Sequence, residues 1–267
     1  MYKLVALDMD GTLLNERKEI SQRTKDAISR AQSIGVKFVL ASGRPLEGML
    51  PYLEQLGIQG DNQFVVHYNG SLVTELGSGE VIYQQILSGK NAKEVHALAE
   101  QLKLHCHAFS LTQGAITPKE NPYSQIEARV NGIKVTEVDF DALEDEHPII
   151  KAMIVDDESK LTNAIPQIPE SFKKTYNVVR SSRHFLEFLN PKSSKGFALQ
   201  AISNHTGIDI HQMIAVGDAE NDNHMIELAG LGVAMGNAMD STKEVADYIT
   251  LTNEQDGVAS VIEKFVL

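Results

Sequence analysis

Two aspartates, Asp8 and Asp10, stand one residue apart in "LVALDMDGTLLN", residues 4–15, where the apolar run Leu4 to Leu7 ends. A third, Asp218, ends a second apolar run, "MIAVGD". Carboxylates that converge without a counter-charge repel one another and resist leaving water. A divalent cation resolves that conflict. A ligand set of hard oxygens, with no histidine or cysteine, favours magnesium, which keeps waters of its own and also binds phosphate. Taken singly, an acid after a strand also serves as a helix cap or a turn residue.

Other short stretches carry the complementary chemistry for an anion. "TLL", "ASGR" and "SSKG" offer hydroxyls, backbone N–H groups and a cation. Gly11 and Gly43 allow the backbone to approach closely. Ser42 stands at a strand end, with N–H groups of the following turn nearby. Lys195 falls in the first turn of a helix, where a cation opposes the dipole unless an anion is present. A solvated surface lysine is the plainer alternative. Asn221 and Asp222 open a helix after Asp218. Both suit capping; Asn221 can also donate to a phosphoryl group or to Asp8, and Asp222 can orient a metal-bound water or brace Lys195.

These residues need elements that bring them together. The first third alternates strand and helix. "LVAL" reads as a buried strand, and Ser21 caps a helix with apolar residues Ala27, Ile28, Ala31 and Ile34, ended by Gly35. "VKFVLASGR" is a strand into a turn, Pro45 to Gly57 brackets a helix, and "FVVHYNG" is a third strand. The last third resumes with a helix from near Lys195 to Gly207, strand "MIAVGD", helix "NDNHMIELAG", strand "LGVAMG" and closing helix "SVIEKFVL". Between them lie helices near 90–103 and 158–168 and the strand-rich stretches "SQIEARV", "IIKAMIVDD" and "NVVRSSRHFLEFL". This order predicts an α/β protein: a Rossmann-like, doubly wound parallel-sheet core, residues 1–83 and 189–267, with an inserted α+β domain, residues 84–188. "NPKSSKG" is the linker back. In such a sheet, ligands bind beyond the carboxyl ends of the strands, where the motifs fall.

Composition narrows the functional classes. The 267 residues, 42% hydrophobic and 22% charged, suit a globular α/β chain. A net charge of -12 argues against general affinity for nucleic acid or an anionic membrane. The single cysteine, Cys106, excludes an internal disulfide and fits a reducing compartment. Charges interrupt the N-terminus, and no run approaches the ~20 apolar residues of a membrane span. A cytoplasmic location is therefore expected. "HCH", residues 105–107, places its histidines on one strand face and its thiol on the other, and no second ligand pair with zinc spacing accompanies it.

"DMDGTLL", "ASGR", a lysine before glycine, and "GDAENDNHM", in that order, resemble the four motifs of the haloacid-dehalogenase-like phosphatases. "YNGSLV", "SKGFAL", "GVAMGNA" and "EQDGV" are similar to the Cof-type branch, which contains sugar phosphatases with a large α/β cap (C2-type) between the second and third motifs. "FLNPKSS" departs from the branch, which more often has Glu-Ile shortly before its linker. The resemblance implies a phosphomonoester hydrolase acting on a small phosphorylated metabolite, with Asp8 as the nucleophile that forms an aspartyl-phosphate. Asp10, on the same side as Asp8 if the strand continues, would protonate the leaving oxygen and then take a proton from water. The resemblance also implies that magnesium is held by Asp8, the Asp10 carbonyl and Asp218. Phosphoryl contacts would come from the Met9 N–H, Ser42, the Gly43 N–H, Lys195 and Asn221. Arg44 is left outside this site.

Alternatives share parts of the pattern. A phosphotransferase or phosphomutase has the same acids but passes the phosphoryl group to a hydroxyl. A phospho-accepting receiver also joins acids, magnesium and a lysine on a doubly wound sheet, yet its acceptor lies on a later strand than its acidic pair, and it needs no large insert. A ligand-binding regulator on this fold has no need of both Asp8 and Asp10. Neither the physiological substrate nor the oligomeric state is specified by these motifs.

Overall fold

The structure, a computed structural model, describes all 267 residues. The chain divides into two compact units, Met1–Gln84 with Ser194–Leu267, and Gln85–Ser193.

The first unit is built on an eight-stranded sheet. Leu4–Leu7 lies at its centre, parallel to Lys37–Ala41 on one side and Met213–Gly217 on the other. Phe64–His67 continues the parallel order beyond Lys37–Ala41, and Leu231–Ala234 with Tyr248–Ile249 continues it beyond Met213–Gly217. Leu72–Glu75 and Val81–Gln84 complete the sheet antiparallel, so the parallel order holds for the central strands and gives way at one edge. Every residue of Leu4–Leu7 is buried, because helices cover both faces. Val5 and Leu7 pack with Ala27, Ile28, Val258 and Ile262, whereas Leu4 and Ala6 pack with Leu199, Ile202 and Met225. Register matters most for function. Leu7 pairs with both Leu40 and Val216, so Asp8, Ser42 and Asp218 leave the sheet at one edge. Ala41 pairs with Val66, which brings the turn after His67 beside Ser42.

Several helix limits follow local chemistry. Ser21 accepts from Thr24 N and starts Gln22–Ser33; Ile34 lies just past the end, largely exposed, rather than on the buried stripe. Pro45 precedes a short 3-10 turn, Leu46–Gly48, before the helix Leu50–Gln55. "NDNHMIELAG" divides into a 3-10 turn, Glu220–Asp222, and a helix, Asn223–Leu228. The last helix, Gly257–Phe265, starts three residues before "SVIEKFVL".

The second unit has a seven-stranded, mainly antiparallel sheet. Its long strand Pro148–Val155 pairs with His105–Ser110 and Phe185–Leu189, and Asn177–Ser182 forms a hairpin with the latter. Helix Gly89–Gln101 packs Val95, Leu98 and Ala99 on one sheet face, against Cys106, Ala108 and Ile154. "SQIEARV" corrects the sequence reading: it is helical, within Pro122–Asn131, and not a strand. Asn121 accepts from Tyr123 N and Ser124 N, Pro122 occupies the first turn, and Gly132 is left-handed at the end. Ser124, Glu127, Ala128 and Asn131 form its buried stripe at helical spacing. His107 meets that helix through Ser124 Oγ at 2.9 Å, while Cys106 faces the apolar side. Residues 190–193 belong with this unit: Asn190 Nδ2 donates to the Ile86 carbonyl, and Ser193 Oγ to that of Gln85. No helix of either unit is long and apolar enough to cross a membrane.

Candidate active site

Asp8 is the first residue past Leu7 and is buried. Its N–H donates to Val216 O at 3.0 Å, so the chain keeps the sheet pairing for one more residue. It then turns: Leu13 N donates to Asp8 O, and Leu14 N to Met9 O. Gly11 sits in this turn with φ +88, and a Cβ there would run into the carboxylate of Asp218. Glycine is required by both conformation and space. Thr12 Oγ1 donates to Asp218 Oδ1 at 2.9 Å, tying the first loop to the late strand.

Lys195 is fully buried between two carboxylates. Its Nζ donates to Asp8 Oδ1 at 2.5 Å and to Asp222 Oδ1 at 2.6 Å. It begins helix Lys195–Thr206, whose cap, Ser194, accepts from Phe197 N. Asp222 Oδ2 accepts from the N–H groups of Asp218 and Ala219 at 2.9 and 3.1 Å. Both oxygens of Asp222 are thus in use, on Lys195 and on the backbone.

Asp8, Asp218 and Asp222 have carboxylate oxygens within 4.8 Å of one another, against one ammonium. The imbalance shows in their protonation. Burial first, then the charge of Asp222, pushes Asp8 well above the ordinary carboxylate range. The same two causes push Asp218 up to about 6. Burial acts to lower Lys195, but Asp222 and Asp8 outweigh it and hold the ammonium charged. A site of surplus carboxylates, with hard oxygen donors only, fits a divalent ion of the magnesium type. Because Asp222 is engaged on both oxygens, Asp8 and Asp218 are the side chains suited to hold it.

Asp10 is placed apart from that cluster. Its side chain, 41% exposed, receives Arg44 Nε on Oδ2 at 2.8 Å and Arg44 Nη2 on Oδ1 at 2.7 Å. Lys18 Nζ also donates to Oδ1, at 2.7 Å. Burial acts to raise its pKa, but the hydrogen bonds and charges of Arg44 and then Lys18 prevail, and the carboxyl lies below its ordinary value. Arg44, omitted from the site by sequence reasoning, is therefore a direct partner of a site residue. Its fixed place at the end of "ASGR", one residue after Gly43, was the available signal.

Ser42 is buried, and its N–H donates to Val66 O. The turn beside it holds three successive left-handed residues, Tyr68, Asn69 and Gly70, at φ 52, 56 and 85. For Tyr68 and Asn69 such a conformation costs about 1–3 kcal/mol each. The turn contacts three motifs. Tyr68 N donates to Arg44 O, and Asn69 N to Ser42 O. The Asn69 amide lies flat against Gly43, where a Cβ would be 3.0 Å from its Nδ2. Asn221 Nδ2 donates to Asn69 Oδ1 at 3.0 Å. At Gly70, a Cβ would strike the Ser194 carbonyl.

The structure thus joins Asp8, Lys195, Asp218 and Asp222 directly, and Ser42, Gly43 and Asn221 through Asn69. Met9 is buried with its carbonyl in the first turn.

Comparison with known proteins agrees with this architecture. A model of the haloacid dehalogenase-like hydrolases matches residues 5–262. The chain belongs to that family, and the enzyme class that fits both match and site is phosphoric monoester hydrolase. A solved haloacid dehalogenase-like hydrolase from Bacteroides thetaiotaomicron is 36% identical, with a TM-score of 0.86 and 99% of each chain covered. The 5-amino-6-(5-phospho-D-ribitylamino)uracil phosphatase YitU of Bacillus subtilis is 30% identical, over 98% of this chain and 97% of its own. An HMP-PP phosphatase of Cronobacter sakazakii is 31% identical, over 90% of this chain and 86% of its own.

Proposed function

We propose that this chain is a magnesium-dependent phosphatase of small phosphomonoesters, sugar phosphates among them, and that it works through an aspartyl-phosphate on Asp8. The observation that carries the reading is the buried Asp8–Lys195–Asp222 chain beside Asp218 at one sheet edge. The names of the two phosphatase relatives support a small phosphorylated metabolite as substrate.

In this reading a carboxylate oxygen of Asp8 attacks phosphorus and forms a P–O bond, while the bond to the leaving oxygen breaks. Asp10 gives that oxygen its proton. In the second step Asp10 takes a proton from water as the water oxygen attacks phosphorus, and the acyl phosphate releases inorganic phosphate and Asp8. Lys195, the N–H groups of Met9 and Gly43, Ser42 and Asn221 hold the phosphoryl oxygens. Asp8, Asp218 and the Asp10 carbonyl would hold magnesium, which when bound would supply neutralising charge for the transferred group. Asp222 keeps Lys195 in place. For Asp10 to serve as acid, its carboxyl must turn from Arg44 and Lys18 toward the leaving oxygen. The second unit, Gln85–Ser193, acts as the cap that sets substrate choice.

Phosphate release from a panel of phosphomonoesters, with and without magnesium and beside Asp8→Asn, tests the proposal. Magnesium-dependent release above that control is the expected result; none from any substrate would overturn it.

A further inference from the structure

The left-handed turn at residues 68–70 is the one strained segment that touches three of the four motifs. We infer that Asn69 is a positioning residue for phosphoryl transfer, one that fixes the Asn221 amide and the Ser42–Gly43 peptide as a single unit. The inference rests on the phosphatase reading above, in which Asn221, Ser42 and Gly43 hold the phosphoryl oxygens.

Three observations carry it. First, Asn69 accepts from Asn221 Nδ2 at 3.0 Å, across 152 residues of sequence. An amide side chain turns freely about its last bond, and one firm acceptor decides which end faces inward. Second, the same residue is anchored on the second motif by its own backbone, since Asn69 N donates to Ser42 O at 2.9 Å. Its amide also fills the space that a Cβ on Gly43 would need. Third, both Tyr68 and Asn69 take positive φ, a conformation that tighter packing must enforce. Asparagine is among the few side chains that tolerate it and can also reach across. The buried Asn69 therefore sets a distance between two groups that neither the strands nor the helices fix alone. Donors placed before the substrate arrives need no rearrangement during transfer, which is the condition for strong stabilisation of developing charge.

A double-mutant cycle separates this role from a general structural one. Asn69→Gly removes the amide and accepts the positive φ, so the fold is retained. With p-nitrophenyl phosphate and magnesium, Asn69→Gly is expected to lower kcat/KM about 10–100-fold, with most of the loss in kcat. Asn221→Ala should lower it to a similar extent. The double variant should then fall less than about threefold below Asn221→Ala, because Asn69 acts through Asn221. Asn69→Asp keeps the acceptor and the backbone preference. Its carboxylate should weaken competitive inhibition by inorganic phosphate at a temperature where circular dichroism shows the variant folded, and it serves equally if Asn69→Gly fails to fold. In an active enzyme, multiplicative losses in the cycle, or unchanged kcat/KM and phosphate inhibition in both Asn69 variants, would overturn the inference alone. A wild-type protein with no turnover above Asp8→Asn would overturn the phosphatase reading and this inference with it.

Discussion

Arg44 grips Asp10 by two parallel contacts, 2.8 Å from Nε to Oδ2 and 2.7 Å from Nη2 to Oδ1. Such a two-point pair favours the ionised carboxylate and one orientation of it. Held in this way, Asp10 is an ionised carboxylate with no proton to give. In the proposed mechanism the acid step therefore begins with loss of this pair, which here fixes the direction of the Asp10 carboxylate and lowers its pKa.

Replacing Arg44 by glutamine removes the stronger of the two influences that lower the Asp10 pKa. Burial then acts with less opposition, and the pKa rises. A group that must be protonated to act as acid loses activity as pH passes above its pKa. The basic limb of the kcat/KM profile should thus move to higher pH in Arg44→Gln, while Lys18→Gln moves it less. A pH profile on one sugar phosphate decides; an unmoved limb in both variants would show that Asp10 is not the acid that the profile reports.

Asp10 should matter differently for good and poor leaving groups. A sugar alkoxide needs a proton as it departs, whereas a phenolate needs it far less. Asp10→Asn should slow the first step strongly with sugar phosphates, on the ~10²–10⁴-fold scale of general acid catalysis. With an aryl phosphate it should give a burst of phenol followed by slow turnover, since hydrolysis still lacks its base. Rapid-quench kinetics reads both. Equal losses for the two substrates and no burst would remove Asp10 from proton transfer.

In the proposed reading Asp218 is a metal ligand, and its titration then couples metal binding to pH. Its carboxyl titrates at about 6 in the folded chain, against 3.8 for the ordinary group, chiefly through burial and then Asp222. Between these values the folded state holds the proton more tightly than the unfolded state. Stability present below pH 3.8 is therefore lost as pH rises through about 6, by up to roughly 2–3 kcal/mol for a shift of this size. Asp8 shifts in the same direction. Melting curves without metal should show this decline, and Asp218→Asn should flatten it. Added magnesium should raise the melting temperature clearly at pH 7.5 and little at pH 5. An equal rise at both would contradict the assignment of Asp218 as a ligand.

Much of this arrangement is legible before any coordinates. Short apolar runs ending in Asp8, Ser42 and Asp218 specify buried parallel strands, and such strands must open at a common edge. What is hidden depends on contacts distant in sequence. "SQIEARV" alternates enough to suggest a strand, yet Asn121, Pro122 and Gly132 around it cap and end a helix. Arg44 has no partner until the turn after Asp8 folds back toward it. The handedness of Tyr68 and Asn69 has no mark in composition beyond the following glycine, because neighbouring motifs hold these residues in an unfavourable conformation. Lys195, a lysine before glycine in a helix's first turn, is marked in the sequence as a cation awaiting an anion, but its ion pairs with Asp8 and Asp222 join residues 187 and 27 positions away and show only in the fold.

Covalent transfer to Asp8 is the central claim, and the intermediate can be captured. Enzyme mixed with magnesium and substrate, quenched in acid within milliseconds and reduced with borohydride, converts an acyl phosphate on an aspartate to homoserine. Peptide mass spectrometry should find homoserine at position 8, only when substrate is present and not in Asp8→Asn. That variant should also remain folded and lose at least about 10³-fold in turnover. Homoserine at another aspartate, or an Asp8→Asn enzyme that releases phosphate at a near-normal rate, would contradict the account.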